Sequence, residues 1–218
     1  MLPPFYQTHL QSQLSQADYL LLTLLVNLLQ SIKKVKLETL ATALPLPITF
    51  ESRRKKIQRF LSLPQLTIEK IWFPIFQAWL KTELEPQQVL YLAIDRTKWG
   101  RINLLVISLI WERRALPIYW ELLPKQGNSN FEKQVEAIGK LLQIFLDYKI
   151  VVIGDREFCS VKLGNWLVEQ KVYFCLRLKQ NEFVLLEDEI WLHLNDFGLS
   201  PGQTHLVNKS SLFSITPR

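Results

Sequence analysis

Two stretches decide the fold: Val-Leu-Tyr-Leu-Ala-Ile-Asp at 89–95 and Ile-Val-Val-Ile-Gly-Asp at 150–155. Each is a short, continuous apolar run closed by a carboxylate, the pattern of a buried strand. Between them, Ile102–Trp111 and Ala115–Leu123 read as two further strands joined by the turn Glu112-Arg113-Arg114. Three strands with such short links form an antiparallel meander. Pro117 has no N–H to give to a ladder, which predicts an edge position for the third. A helix follows: Ser129 and Glu132 have capping-box spacing, and Phe131, Val135, Ile138, Leu142 and Phe145 form one apolar stripe. A helix at about 159–170 and a strand at 172–178 complete a βαβ unit. The order β-β-β-α-β-α-β predicts an α/β domain built on a mixed sheet flanked by helices. The strand at 150–154 can then lie beside that at 89–95 and parallel to it, bringing Asp95 and Asp155 to the same end of neighbouring strands.

Two carboxylates in that position repel each other unless cations sit between them. Hard divalent ions, Mg²⁺ or Mn²⁺, prefer such oxygen ligands and keep positions open for water and phosphate oxygens, and pairs of them serve phosphodiester chemistry. The plainer alternative is two turn aspartates, each paired with the arginine that follows it, Arg96 or Arg156. Other site types lack their motifs. There is no Gly-x-x-x-x-Gly-Lys-Ser/Thr phosphate loop and no His-Glu-x-x-His. His9, His193 and His205 are scattered without metal-ligand spacing, and Cys159 and Cys175 read as buried small hydrophobes.

Upstream of Val89 the periodicity is helical. Residues 17–32 are apolar nearly all round, as in a central bundle helix. A short helix at about 36–44 stops at Pro45 and Pro47, and Thr49 can cap a helix over about 50–62. On that helix Phe50, Ile57, Phe60 and Leu61 share one arc, Lys55, Lys56 and Arg59 lie opposite, and Arg53 and Arg54 flank the apolar arc. A basic face on an apolar anchor suits the phosphate backbone of duplex DNA, and two short helices about a tight Leu-Pro-Leu-Pro turn suggest a helix-turn-helix-like unit. A solvated charged face is the bland reading. A further helix at about 67–84 carries Trp72, Phe73, Phe76 and Trp79, expected in a core.

Composition agrees with a globular protein: 218 residues, 48% hydrophobic and 21% charged, with a formal net charge of +6. Residues 1–86 hold 10 basic against 6 acidic residues, so the positive excess concentrates there. A basic balance favours nucleic acid over acidic ligands. Two cysteines cannot make a disulfide framework, which points to a reducing, cytoplasmic setting. The longest apolar stretch, Tyr19–Leu29, is too short to span a membrane.

Four ordered blocks carry a resemblance: Leu-Ala-Ile-Asp-Arg-Thr-Lys-Trp (92–99), Lys-Gln-Gly-Asn-Ser-Asn (125–130), Gly-Asp-Arg-Glu-Phe (154–158) and Leu-Arg-Leu-Lys-Gln-Asn (176–181). They resemble the IS-four family of DDE insertion-sequence transposases, and Arg-Arg-Lys-Lys-Ile-Gln-Arg-Phe-Leu (53–61) is similar to that family's DNA-binding region. The resemblance implies a ribonuclease-H-like core that cuts and pastes DNA with Mg²⁺ or Mn²⁺, with catalytic, metal-holding aspartates at Asp95 and Asp155. It also implies a division into a helical DNA-binding domain (1–86), a catalytic core (87–182) and the start of a β-rich insertion (183–218), with strands at 183–194 and 204–215.

The family's third acid lies in a Tyr-x₂-Arg-x₃-Glu-x₆-Lys motif. Here Tyr173 begins the nearest window, but Leu176 stands in place of the arginine, and Glu182, Glu187 and Glu189 miss the spacing. Glu157 or a glutamate at 182–189 could substitute. The expectation is therefore a truncated, inactive transposase. The alternatives are a DNA-binding remnant that occupies insertion-sequence ends or pairs with an intact enzyme, and a free-standing nuclease of the same fold. The expected partner is double-stranded DNA, with a homodimer as a further possibility and no membrane association.

Overall fold

The computed structural model describes Leu2 and residues 4–123, 130–178, 183–185, 191–198, 200 and 203. The chain divides into two compact units, Met1–Glu85 and Pro86–Arg218.

The first unit is helical: α1 (Pro4–Gln13), α2 (Gln16–Ile32), α3 (Leu37–Ala43), α4 (Phe50–Leu61), a π-helical turn (Ile68–Trp72) and α5 (Phe73–Glu83). Local chemistry sets the ends. Ser15 caps α2 by accepting from the Asp18 N–H, and Lys33 closes it with a left-handed backbone. Thr49 caps α4 as expected, its hydroxyl accepting from the Ser52 N–H at 3.3 Å. Leu21, Leu25, Leu40, Ala41, Leu44, Ile57 and Phe60 form one core. The helix read as apolar all round is less enclosed than expected: only Leu21 and Leu25 of α2 are buried, and Leu20 is exposed. The helix expected at 67–84 starts as a π turn because Pro74, the second residue of α5, has no N–H for a continuous α ladder. Phe73 and Phe76 are buried as expected of core aromatics.

The second unit carries β1 (Val89–Trp99), β2 (Ile102–Trp111), β3 (Arg114–Leu122), α6 (Phe131–Leu142), β4 (Lys149–Gly154), α7 (Val161–Glu169), β5 (Tyr173–Leu176), and a small hairpin of β6 (Phe183–Leu185) and β7 (Trp191–His193). The five-stranded sheet has the order β3-β2-β1-β4-β5. β1–β2 and β2–β3 are antiparallel, and β1–β4 and β4–β5 are parallel. This is the mixed, helix-flanked sheet expected from the order of elements. Pro117 does lie on an edge strand, next to a register shift that leaves the consecutive residues Ile118 and Tyr119 both buried. The cap of α6 is Asn130, whose side chain accepts from the Lys133 N–H, rather than Ser129, which lies outside the described residues. The strand expected at 204–215 also lies outside them.

The two faces of the sheet differ. From β1 to β4 and from β4 to β5 the chain moves in the same direction across the sheet, and right-handed crossovers then put α6 and α7 on one face. That face holds Leu90, Leu92, Ile94, Leu105, Ile107, Leu109, Ile150 and Val152, all buried, with Ala137, Ile138, Leu141, Leu163 and Leu167 from the helices. Side chains of alternate residues point the other way. On that second face Tyr91 is 46%, Trp120 42% and Tyr173 68% exposed. Among the described residues the sheet is therefore closed on one side and open, with an apolar surface, on the other.

Candidate functional site

The parallel register of β1 and β4 ends with the pair Ile94↔Gly154. Asp95 and Asp155 are the next residues of their two chains. Alternation puts Asp95 on the open face, with Tyr91 and Ala93, and Asp155 follows the closed-face Gly154. The structure thus brings the two aspartates to one end of adjacent parallel strands. One detail differs from expectation: Asp95 is not a strand end, since β1 runs on to Trp99 and Asp95 faces Val106 of β2. Both aspartates are exposed.

The loop after β4 is built residue by residue around Asp155. A Cβ on Gly154 would come within 2.8 Å of Leu176 Cδ2, 3.0 Å of Phe158 Cβ and 3.2 Å of Ile94 Cγ2. The leucine methyl can swing aside; the buried Phe158 and Ile94 have nowhere to go. Asp155 Oδ1 accepts from the Glu157 N–H at 2.9 Å, and the Asp155 carbonyl accepts from the Phe158 N–H at 3.1 Å. Phe158 anchors the turn in the core at 1% exposure. Gly154→Ala is therefore expected to lower stability by about 1–3 kcal/mol, the usual range for overpacking, read as a fall in the urea midpoint at unchanged m-value.

The proposed pairing of each aspartate with its following arginine does not occur. Arg96 Nε donates to both carboxylate oxygens of Glu157, at 2.6 and 2.7 Å, and its Nη1 donates to the buried Asn103 Oδ1 at 3.3 Å. Arg156 is exposed, with no ion-pair partner among the described residues. Glu157, considered above as a substitute third acid, is held by Arg96. Glu182, Glu187 and Glu189 lie outside the described residues. Among the described residues no three His, Cys, Asp or Glu side chains converge on a metal-sized site. Cys175 is exposed and Cys159 half-buried, contrary to the reading of both as core residues. Cys175 pairs with Ile153 on the uncovered face.

On α4 the five basic residues divide. Arg53 is half-buried and its Nη1 donates to the Leu44 and Leu46 carbonyls at 3.3 and 3.4 Å, fastening α4 to the preceding turn. Arg54 lies 3.9 Å from Glu38 and 3.6 Å from Glu51. Lys55, Lys56 and Arg59 are exposed, with no ion pair among the described residues. Behind them, Ile57 and Phe60 are buried, whereas Phe50 and Leu61 of the expected apolar arc are exposed near the helix ends.

Two other features are chemically self-contained. Lys133 of α6 bonds Glu121 of β3 at 2.7 Å and Glu136 at 3.0 Å, and Lys140 bonds Glu136 and Tyr119. These hydrogen bonds hold Lys133 above and Glu136 below their ordinary pKa values, as expected of groups already satisfied by partners. A cavity of about 590 Å³, lined by Leu142, Phe145, Ile150 and Val172 among others, opens at the end of the sheet away from the aspartates. No helix among the described residues is long and apolar enough to cross a membrane.

No protein-family model matches the chain, and no curated protein matches it. Among solved structures, the Mos1 strand transfer complex is similar at a TM-score of 0.26 and 10% identity, over 69% of this chain and 56% of that one. So distant a likeness assigns no function.

Proposed function

We propose that this chain is a transposase-type DNA-binding protein. Its helical unit grips duplex DNA through Lys55, Lys56 and Arg59, and its sheet presents Asp95 and Asp155 as two ligands of a Mg²⁺ or Mn²⁺ site. The observation that carries the reading is the placement of two exposed aspartates at one end of adjacent parallel strands. The donor set fits a hard cation: both groups are carboxylates, and Glu157 N–H occupies only one oxygen of Asp155. A cation bound there would supply charge stabilisation to a phosphate group. The residues themselves would hold the ion, and the apolar face beside them would receive whatever covers the sheet. In this reading the DNA is an insertion-sequence end and the described residues make an incomplete, inactive catalytic site. The four sequence blocks support that specificity by resemblance.

The test is a Mn²⁺ titration followed by electron paramagnetic resonance. The unaltered chain should bind weakly, since carboxylate number largely sets affinity for such ions. Asp95→Asn and Asp155→Asn should each lose binding by at least about ten-fold. Equal binding in all three proteins would reject the site. A non-enzymatic DNA-binding remnant is the second reading, favoured by the absence of a third converging carboxylate among the described residues.

A further inference from the structure

We propose that Arg96 and Glu157 form a clamp that positions the Asp155 carboxylate. The inference rests on the reading of Asp95 and Asp155 as cation ligands and adds residues that touch neither the ion nor DNA. Asp155 lies one residue beyond the last parallel pair of β4, so no ladder bond on the β1 side fixes it. What fixes it is the turn, and the turn is held from outside by Arg96. That residue stands one position after Asp95 on β1, its side chain on the helix-covered face with Ile94 and Leu92.

The guanidinium holds Glu157 through Nε and the buried Asn103 through Nη1. Asn103 is anchored in turn, its carbonyl accepting from the Leu123 N–H at 2.8 Å. Glu157 then returns its own N–H to Asp155 Oδ1. A continuous chain of hydrogen bonds thus joins the strand bearing one aspartate to the carboxylate of the other. The Arg96 and Glu157 side chains are only 20% and 13% exposed, so solvent screens the pair weakly. A two-carboxylate site gains affinity from having its ligands held before the cation arrives. Hydrogen bonds that orient ligands in this way typically change metal affinity by about 10- to 100-fold.

Removing one member alone would strand a largely buried charge and threaten the fold. The test variant therefore replaces both, Arg96→Met with Glu157→Leu, a change often neutral for stability. Two quantities are measured: hydrogen exchange of the backbone amide at position 157, and Mn²⁺ affinity. The expected result is exchange at least about ten-fold faster and affinity about ten-fold weaker, with the circular dichroism melt retained. If the double variant does not fold, Glu157→Asp, which keeps the charge and shortens its reach to Arg96, should shift both readouts in the same direction by less. Unchanged amide exchange would overturn the clamp whatever the metal does. Faster exchange with unchanged affinity would show that the pair holds the turn without positioning the ligand, and would also overturn it. If the unaltered protein binds no Mn²⁺, the cation reading itself fails and the proposal falls with it. The amide measurement would still separate that case from a clamp that does not hold the turn.

Discussion

Replacing Lys55, Lys56 and Arg59 together with alanine is expected to weaken duplex binding about 10²-fold near 0.1 M salt and to flatten its salt dependence by about 0.9 slope units per lost phosphate contact. The three residues form the exposed face of α4, and their side chains are uncommitted to ion pairs among the described residues. The helix beneath them is fixed by Ile57, at 0% exposure, by Phe60 and by the Thr49 cap. Exposed substitutions on a helix so anchored change stability within about 0.5 kcal/mol, so the loss should appear in binding alone. Arg53→Ala should behave in the opposite way. It would release the Leu44 and Leu46 carbonyls and cost stability before it costs affinity. Mobility-shift titrations across a salt series decide the matter. An unchanged affinity and slope for the triple variant would show that α4 is merely a solvated face.

The second large expectation concerns cleavage. Incubated with insertion-sequence-end DNA and Mg²⁺ or Mn²⁺, the 218-residue chain should retard the DNA without cutting either strand. Two-metal phosphodiester chemistry needs both cations held in fixed positions. Asp95 and Asp155 offer two carboxylates, one with an oxygen engaged by a backbone N–H. The nearest further acid in sequence, Glu157, is committed to Arg96. No third ligand joins them among the described residues. Strand scission abolished by Asp155→Asn would show that a complete site forms and that a glutamate outside the described residues supplies the missing ligand. Scission that persists in Asp155→Asn would signal a contaminating nuclease.

What could be read directly from the residues was whatever depends on local periodicity and backbone chemistry. The apolar runs at 89–95 and 150–154, the proline at 117 and the threonine at 49 each act within a few residues of themselves. The strand order, the edge strand and the start of α4 followed from them. The sequence also placed Asp95 and Asp155 together, because short right-handed connections leave few other arrangements.

What only the tertiary structure decided depends on which groups meet across the fold. Every arginine in a basic run looks alike in one dimension. The carbonyls of Leu44 and Leu46 separate Arg53 from Lys55, Lys56 and Arg59, and they lie on a different segment. Glu157 looked like a spare catalytic acid because its partner, Arg96, is far away in sequence and directed to the other face of the sheet from Asp95. Cys175 looked buried because the alternation of a strand reveals that two faces exist, but not which of them is covered. Coverage was settled by two crossovers running in one direction, which placed both helices on one side and left Asp95 on the other. Pairing and burial are properties of the assembled sheet, and no window of sequence contains them.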